Sequence, residues 1–515
     1  MRVPPKLMIS LASLALASAW ADSVEAAPRW DGRLTVRVVD EESGAPLAAR
    51  MELRDGRGRI LRIAPQNVVV MPDGLYLDGQ VELELRRGEY RFTVEAGPEF
   101  ETRDGEFTIE PRSEDVAEVP LRRRVDMAHE GWWAGDLDVH VAGNDALLAA
   151  RARGVAFAPA TAWVQREAKC QTLFSDNMVD HHGTAPPWVG PQAALLAGDV
   201  GDLLLVGGAS LRDGCPWPTG DAGATRLAEA RATGTCVVAR TATAWMLPVW
   251  IARGEIDAVS LFPAATAALE DPAQRPPNDP RLYPGREGPG RFCEAIYTHL
   301  LNCGLRIPPA AGSGADRQTS RRGASAIPLG ASRVYVHLNE SPTPKMWLAG
   351  LREGRVVATN GPLLRTRVEG RPPGHVFSLR AGEQREFQIA LDLAFYSTTH
   401  VDYLEIVHNG AVMHHVRLDE LAQQAGRLPP VIVDGSGWFQ VRAVTTNNQY
   451  YQFAATGPYY VEAPGGPHIS RTSVEFFLAW LQEAAEKFRA DDSLLQEIEA
   501  ARPFWQRLAD SATTD

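Results

Sequence analysis

Between His129 and Arg355 the chain alternates short apolar runs with amphipathic stretches of helical length, and no other feature narrows its fold as much. The runs "LDVHV", "VAFAPAT", "DLLLVGG", "CVVART", "AVSLF" and "SRVYVHL" have the length and apolar content of strands. Between them lie "NDALLAARARG", "ATRLAEARATG", "AWMLPVWIARGEI", "FCEAIYTHLLNCG" and "PKMWLAGLREG", several closing on the glycine that helix C-termini favour. Repeated βα units of this length predict a parallel sheet, closed into a barrel or doubly wound.

The flanks read differently. From about Arg33 to Leu121, "RLTVRVV" sets Leu34, Val36 and Val38 on one face. "QVELELRRGEYRFTV" then sets Val81, Leu83 and Leu85 before a turn at Gly88, with Tyr90, Phe92 and Val94 after it. The succession of strand, "SGAPL" turn and strand resembles carboxypeptidase-regulatory-like β-sandwiches, which implies a spacer or docking domain. Strands resume from about Val368 to Glu462, where "VDYLEIVHNGAVMHHVRL" is a hairpin signal turned at Asn409-Gly410. The stretch Thr472–Ala509 is helical in pattern, with Thr472 and Glu475 fitting a capping box. Its apolar stripe of Phe476, Phe477, Trp480, Leu481 and Ala484 predicts docking on the rest of the protein. The expected organisation is a signal segment (1–27), an N-terminal β-sandwich (28–126), the α/β region (127–364), a C-terminal β-sandwich (365–465) and a helical end (466–515).

Bulk properties exclude some partners. The 515 residues carry a net charge of −12 without long runs of either sign, which argues against nucleic acid. Arg2 and Lys6 precede a short apolar stretch, Leu7 to Ala17. Small residues follow at Ala17, Ala19, Ala26 and Ala27, as in an export signal with cleavage sites. No later segment is long and apolar enough for a transmembrane helix, so the expectation is an exported protein, periplasmic or extracellular. Cys170, Cys215, Cys236, Cys293 and Cys303 form no CxxC pair and are too dispersed for a disulfide scaffold. On one continuous helix, Cys293 and Cys303 would stand about 15 Å apart and could not bridge.

One motif carries metal chemistry. In "GWWAGDLDVHV", Gly131 to Val141, an extended strand would point Asp136, Asp138 and His140 to one face. Together with "LPVWIARGEIDAV", "IYTHLLNCGLRIPPAAGSGA", "SRVYVHL" and "LREGRVVATNGPLL", this motif resembles the PHP (polymerase and histidinol phosphatase) superfamily. Its exported branch related to carbaryl hydrolase is the closer likeness, over roughly Gly131 to Leu364. The resemblance implies a distorted (β/α) barrel flanked by N- and C-terminal β-sandwiches and a C-terminal helix. It also implies one to three divalent metals at the strand ends that activate water for hydrolysis of phosphoesters, esters or amides. The family motif is Gly-Asp-Leu-His-x-His; this chain has Asp138 at the first histidine position and His140 at the second.

Carried over, Asp138 and His140 become ligands for zinc, manganese or iron, and Asp136 either orients His140 or caps a turn. Asp145 either replaces an early acidic ligand or caps a helix. The family's later ligands are depleted: "PAATAALED" and "TCVVARTATAW" have no histidine, and "AGSGADRQTS" offers only Asp316. His181 and His182, with Asp176 and Asp180, lie in a loop that either supplies ligands or is a solvated polar loop. His299 reads as a hydrogen-bonded core residue, and the adjacent His414 and His415 face opposite sides of a strand. Arg317, Arg321 and Arg322 form a basic loop that could meet an acidic group. No GxSxG, GxxxxGK[ST] or HExxH motif is present.

Two functions follow. One is a catalytically degenerate barrel retained as a binding or structural module of the cell envelope, with a small-molecule or glycan ligand. The other is a metal-dependent hydrolase with a remodelled site. Filling of the barrel mouth by Trp163, Trp245 or Phe262 would count against the hydrolase, whereas tryptophans open at the mouth would suit a sugar.

Overall fold

The computed structural model describes residues 30–166, 169–174, 185–208, 220–262, 281–285, 287–316, 327–340, 342–391, 401–424, 427–445 and 451–515. The export segment, Asp176, Asp180, His181, His182, Cys215, Arg317, Arg321 and Arg322 lie outside these residues.

The N-terminal strands form one eight-stranded, sandwich-like sheet. Alternation works as expected: Gly32–Asp40 buries every second residue, and Leu34, Val36 and Val38 meet Val81, Leu83 and Leu85 in the core. Gln80–Leu85 and Gly88–Glu95 do not form a hairpin across Gly88. The first pairs with Gly32–Asp40, and the second pairs with Ala48–Asp55. Both strands nevertheless contribute side chains to one core.

The remaining strands share a larger mixed sheet. Phe157–Arg166 pairs in parallel with Trp188–Ala197, and Cys236–Ala239, Ala258–Ser260 and Pro309–Ala310 are parallel in turn. The expectation of a parallel sheet is corrected at Arg333–His337, which runs antiparallel to Trp132–Gly135 and Val356–Thr359, and at Leu203–Val206, which runs antiparallel to Trp188–Ala197 and Cys236–Ala239. Only the short loop 198–202 precedes it, and a connection without a crossover helix reverses direction. Val139–His140 pairs in parallel with Phe157–Arg166 on one side and Ala315–Asp316 on the other. Residues 311–314 carry no ladder, so among the described residues the hydrogen bonding does not close into a continuous barrel. The helices Gly143–Ala152, Gly220–Ala232, Leu247–Ala252, Gly288–Asn302 and Pro344–Arg352 follow the predicted segments. Their following glycines, Gly154, Gly234, Gly254, Gly304 and Gly354, all have positive φ.

Val356–Thr359 pairs with Phe453–Thr456, so the sheet continues into the C-terminal strands across residue 364. Val401–His408 and Ala411–Arg417 form the expected hairpin, with Asn409 and Gly410 at φ +48° and +85°. The C-terminal end is two helices, Arg471–Lys487 and Asp492–Asp510. Ser470, not Thr472, caps the first, its side chain accepting from the Ser473 amide. Phe477, Trp480 and Trp505 are fully buried, and the indoles of Trp480 and Trp505 each donate at 3.0 Å to the carbonyls of Trp245 and Pro248. No helix among the described residues is long and apolar enough to cross a membrane.

Because Trp505 joins a buried ring stack to a hydrogen bond on another helix, Trp505→Ala should cost about 3–5 kcal/mol of stability. Urea unfolding of the variant beside the unsubstituted protein measures this.

Candidate functional site

The motif does not form one straight strand. Trp132–Gly135 and Val139–His140 are separate short strands with a bend at Leu137 between them. Asp136 therefore does not share a ligand face with Asp138 and His140. It is fully buried and accepts from the amides of Ser313 (2.8 Å), Gly330 (2.7 Å) and Asp138 (3.2 Å), and from the Ser313 hydroxyl (2.5 Å). Burial lifts its carboxyl to about 6 against the opposing pull of these bonds.

Asp138 is also buried, and both its oxygens are engaged. Oδ1 lies 2.8 Å from Nε2 of His140, and Oδ2 accepts at 2.7 Å from Nε of Arg240. Arg240 directly follows Cys236–Ala239 and reaches a second carboxylate, Asp202, at 3.0 Å through Nη1. Asp202 stands at the start of the antiparallel strand Leu203–Val206, so the reversed direction of that strand brings it to this end of the sheet. Gly312 permits the tight approach of the neighbouring segment: a Cβ there would lie 2.5 Å from Asp138 Cβ.

The charges reinforce one another. Burial alone would raise the Asp138 carboxyl, but the Arg240 charge and the bonds from His140 and Arg240 hold it far below the usual range. Burial would lower the His140 imidazole, yet the bond to Asp138 and its charge carry it above its ordinary value. Asp316, opposite His140 in the strand register, adds to that upward pull.

Of the sequence-derived ligands, Asp138, His140 and Asp316 are thus brought together. Asp145 lies in the first turn of Gly143–Ala152, where a carboxylate complements the helix dipole. His181 and His182 lie outside the described residues. Among the described residues no group of three or more His, Cys, Asp or Glu is disposed to hold a metal. Among the described residues the arrangement does not suit the divalent ion implied by the resemblance, because Asp138 Oδ2 already accepts from the Arg240 guanidinium and Oδ1 faces His140.

Trp163, Trp245 and Phe262 are buried in the core and do not offer a stacking surface at the mouth. Trp245 lies under Lys487 and Phe488, and Phe262 lies against Phe453. His299 is the expected core residue: it bonds Ser473 at 3.0 Å and stacks on Phe476, and burial lowers it to about 4. Sequence reasoning passed over Arg240, Asp202 and Ser313. For Arg240 a signal existed, since it is a lone charge ending the apolar strand "CVVAR".

No family model matches the chain, and no curated protein matches it. Several solved structures bear a remote likeness, among them the two that follow. The N-terminal four Ig domains of Dscam1 isoform 8.4 share 10% identity, over 84% of this chain and 73% of that one, at a TM-score of 0.15. The β-glucuronidase of Parabacteroides merdae shares 12%, over 81% of this chain and 61% of that one, at a TM-score of 0.16. At such scores neither bears on fold or function.

Removing Arg240 strands two carboxylates, so Arg240→Ala should destabilise by roughly 3–5 kcal/mol, with Arg240→Lys recovering part of the loss in denaturant unfolding. The folded His140 imidazole holds its proton more tightly than the unfolded one. Its stabilising effect is therefore complete below about pH 6.5 and is lost as pH rises through the higher folded value. Thermal midpoints measured from pH 5.5 to 9 should accordingly show His140→Gln losing more stability at the acid end than at the alkaline end.

Proposed function

We propose that this chain is an exported, PHP-like distorted barrel protein that no longer works as a metallohydrolase and serves as a binding or structural module of the cell envelope. The observation that carries the reading is the Arg240 guanidinium on Asp138, 2.7 Å from the carboxylate at the first position of the motif. A fixed monocation bonded to Asp138 and Asp202 neutralises the carboxylates that would otherwise attract a divalent ion. It offers no exchangeable position for water, which a catalytic metal site must keep.

Several features support the barrel part of the proposal. The motifs resembling the PHP superfamily occur in order along the chain, and Asp138, Arg240 and Asp316 gather at one end of the parallel strands. Cys170 is disulfide-bonded, in keeping with an oxidising compartment, while Cys236, Cys293 and Cys303 are free and buried.

The test is the metal content of the untagged protein by inductively coupled plasma mass spectrometry, before and after reconstitution with zinc, manganese and iron(II). The expected result is a content far below one ion per chain that Asp138→Ala/His140→Ala does not change. A near-stoichiometric ion lost in the double variant would overturn the reading and restore the hydrolase.

A further inference from the structure

At the opposite end of the sheet lies a cleft that the motif does not use. A cavity of about 530 Å³ is lined by Arg306, Arg352, Arg355, the consecutive Pro372 and Pro373, and His375. A second cavity of about 290 Å³ adjoins it, and the two share Arg306 and Tyr460. Topology separates this cleft from the Asp138 site. Arg306 precedes Pro309–Ala310, and Arg352 and Arg355 precede Val356–Thr359, whereas Arg240 follows Cys236–Ala239. The cleft is therefore at the N-terminal ends of Pro309–Ala310 and Val356–Thr359, whereas Arg240 lies past the C-terminal end of Cys236–Ala239, which runs parallel to Pro309–Ala310 through Ala258–Ser260.

Its charge runs against that of the whole protein. Arg352 shares Asp257 with Arg231, the two guanidiniums standing 3.4 and 2.7 Å from one carboxylate. Arg355 bonds Glu353 at 2.6 Å, but its Nε is buried without a partner. Arg306 bonds Glu462 at 2.5 Å and lies 5.1 Å over the Tyr460 ring, a stacking that holds the guanidinium in a fixed plane. Arg371 acts on His375 from the adjoining loop, and the nearby Glu369 is held by Arg385. Of the residues that line the two lobes, Arg306, Arg352 and Arg355 stand against two carboxylates, Glu353 and Glu462, so guanidiniums outnumber lining carboxylates by one.

We infer that this two-lobed cleft binds an acidic sugar, its carboxylate or phosphate taken by Arg306, Arg352 and Arg355. Planar guanidiniums accept such anions through paired N–H bonds. Val376 is the one aliphatic side chain besides proline among the described residues that line the larger lobe, a lining that favours a polar ligand over a lipid tail. The volumes fall in the range of small-ligand sites. The inference does not rest on the Asp138–Arg240 reading, because metal content and sugar binding report on opposite ends of the sheet.

Isothermal titration calorimetry of the full protein with trigalacturonate, glucose 6-phosphate and neutral maltotriose tests it. At least one acidic sugar should bind and maltotriose should not; which acidic sugar binds distinguishes carboxylate from phosphate. Arg306→Ala and Arg355→Ala should each weaken binding about tenfold or more, while the exposed Arg489→Ala leaves it unchanged. Arg355→Lys, which keeps the charge but not the paired donors, serves if the alanine variant fails to fold, and should weaken binding as well. The inference is overturned if neither acidic sugar binds, if maltotriose binds as tightly, or if folded cleft variants bind like the unsubstituted protein.

Discussion

A carboxylate sealed from water holds this end of the sheet together. Asp136 accepts from three amides and a hydroxyl contributed by segments near residues 138, 313 and 330, so stretches almost 200 residues apart are fastened to one group. A buried carboxylate is costly unless its lone pairs are filled, and four donors offset much of that cost. Burial still prevails, since the group remains lifted to about 6. What the arrangement secures is geometry. With Ser313 held by Asp136, and with Gly312 admitting the Asp138 backbone, the segment that delivers Asp316 lies in register beside His140.

On that frame the choice of cation decides the chemistry. A divalent ion and a guanidinium can both balance Asp138 and Asp202, but they leave different possibilities behind. An ion keeps an open position and polarises what occupies it. Arg240 is tethered by its side chain, gives one donor each to Asp138 and Asp202, and does not lose its proton near neutral pH. His140 is drawn into the same network, since its Nε2 faces Asp138. The polar groups of the motif thus bond to one another and to Arg240.

Much of the fold was legible because strands and helices advertise their periods locally. Alternation in "RLTVRVV" and the Asn409-Gly410 turn needed no tertiary context, and neither did the glycines that end five helices. Three things were not legible. The reversed strand Leu203–Val206 is as apolar as a parallel strand buried on both faces, so composition could not reveal its direction. The break at Leu137 depends on Asp136 turning toward Ser313 and Gly330, which is a long-range contact. The pairing of Arg240 with Asp138 spans 102 residues, and a search confined to imidazoles and carboxylates has no reason to stop at an arginine.

The distribution of satisfied and unsatisfied charge bears on where binding takes place. At the end of the sheet that carries Asp138 the charges are closed: Arg240 has two carboxylates, and Asp138 has two donors. The opposite end shows the reverse imbalance, with Asp257 divided between two arginines and the Arg355 Nε buried without an acceptor. A buried donor left unpaired costs free energy that a bound anion would return. A cation deficit filled from within at one end, and a cation surplus left open at the other, place the capacity for recognition away from the motif that first drew attention.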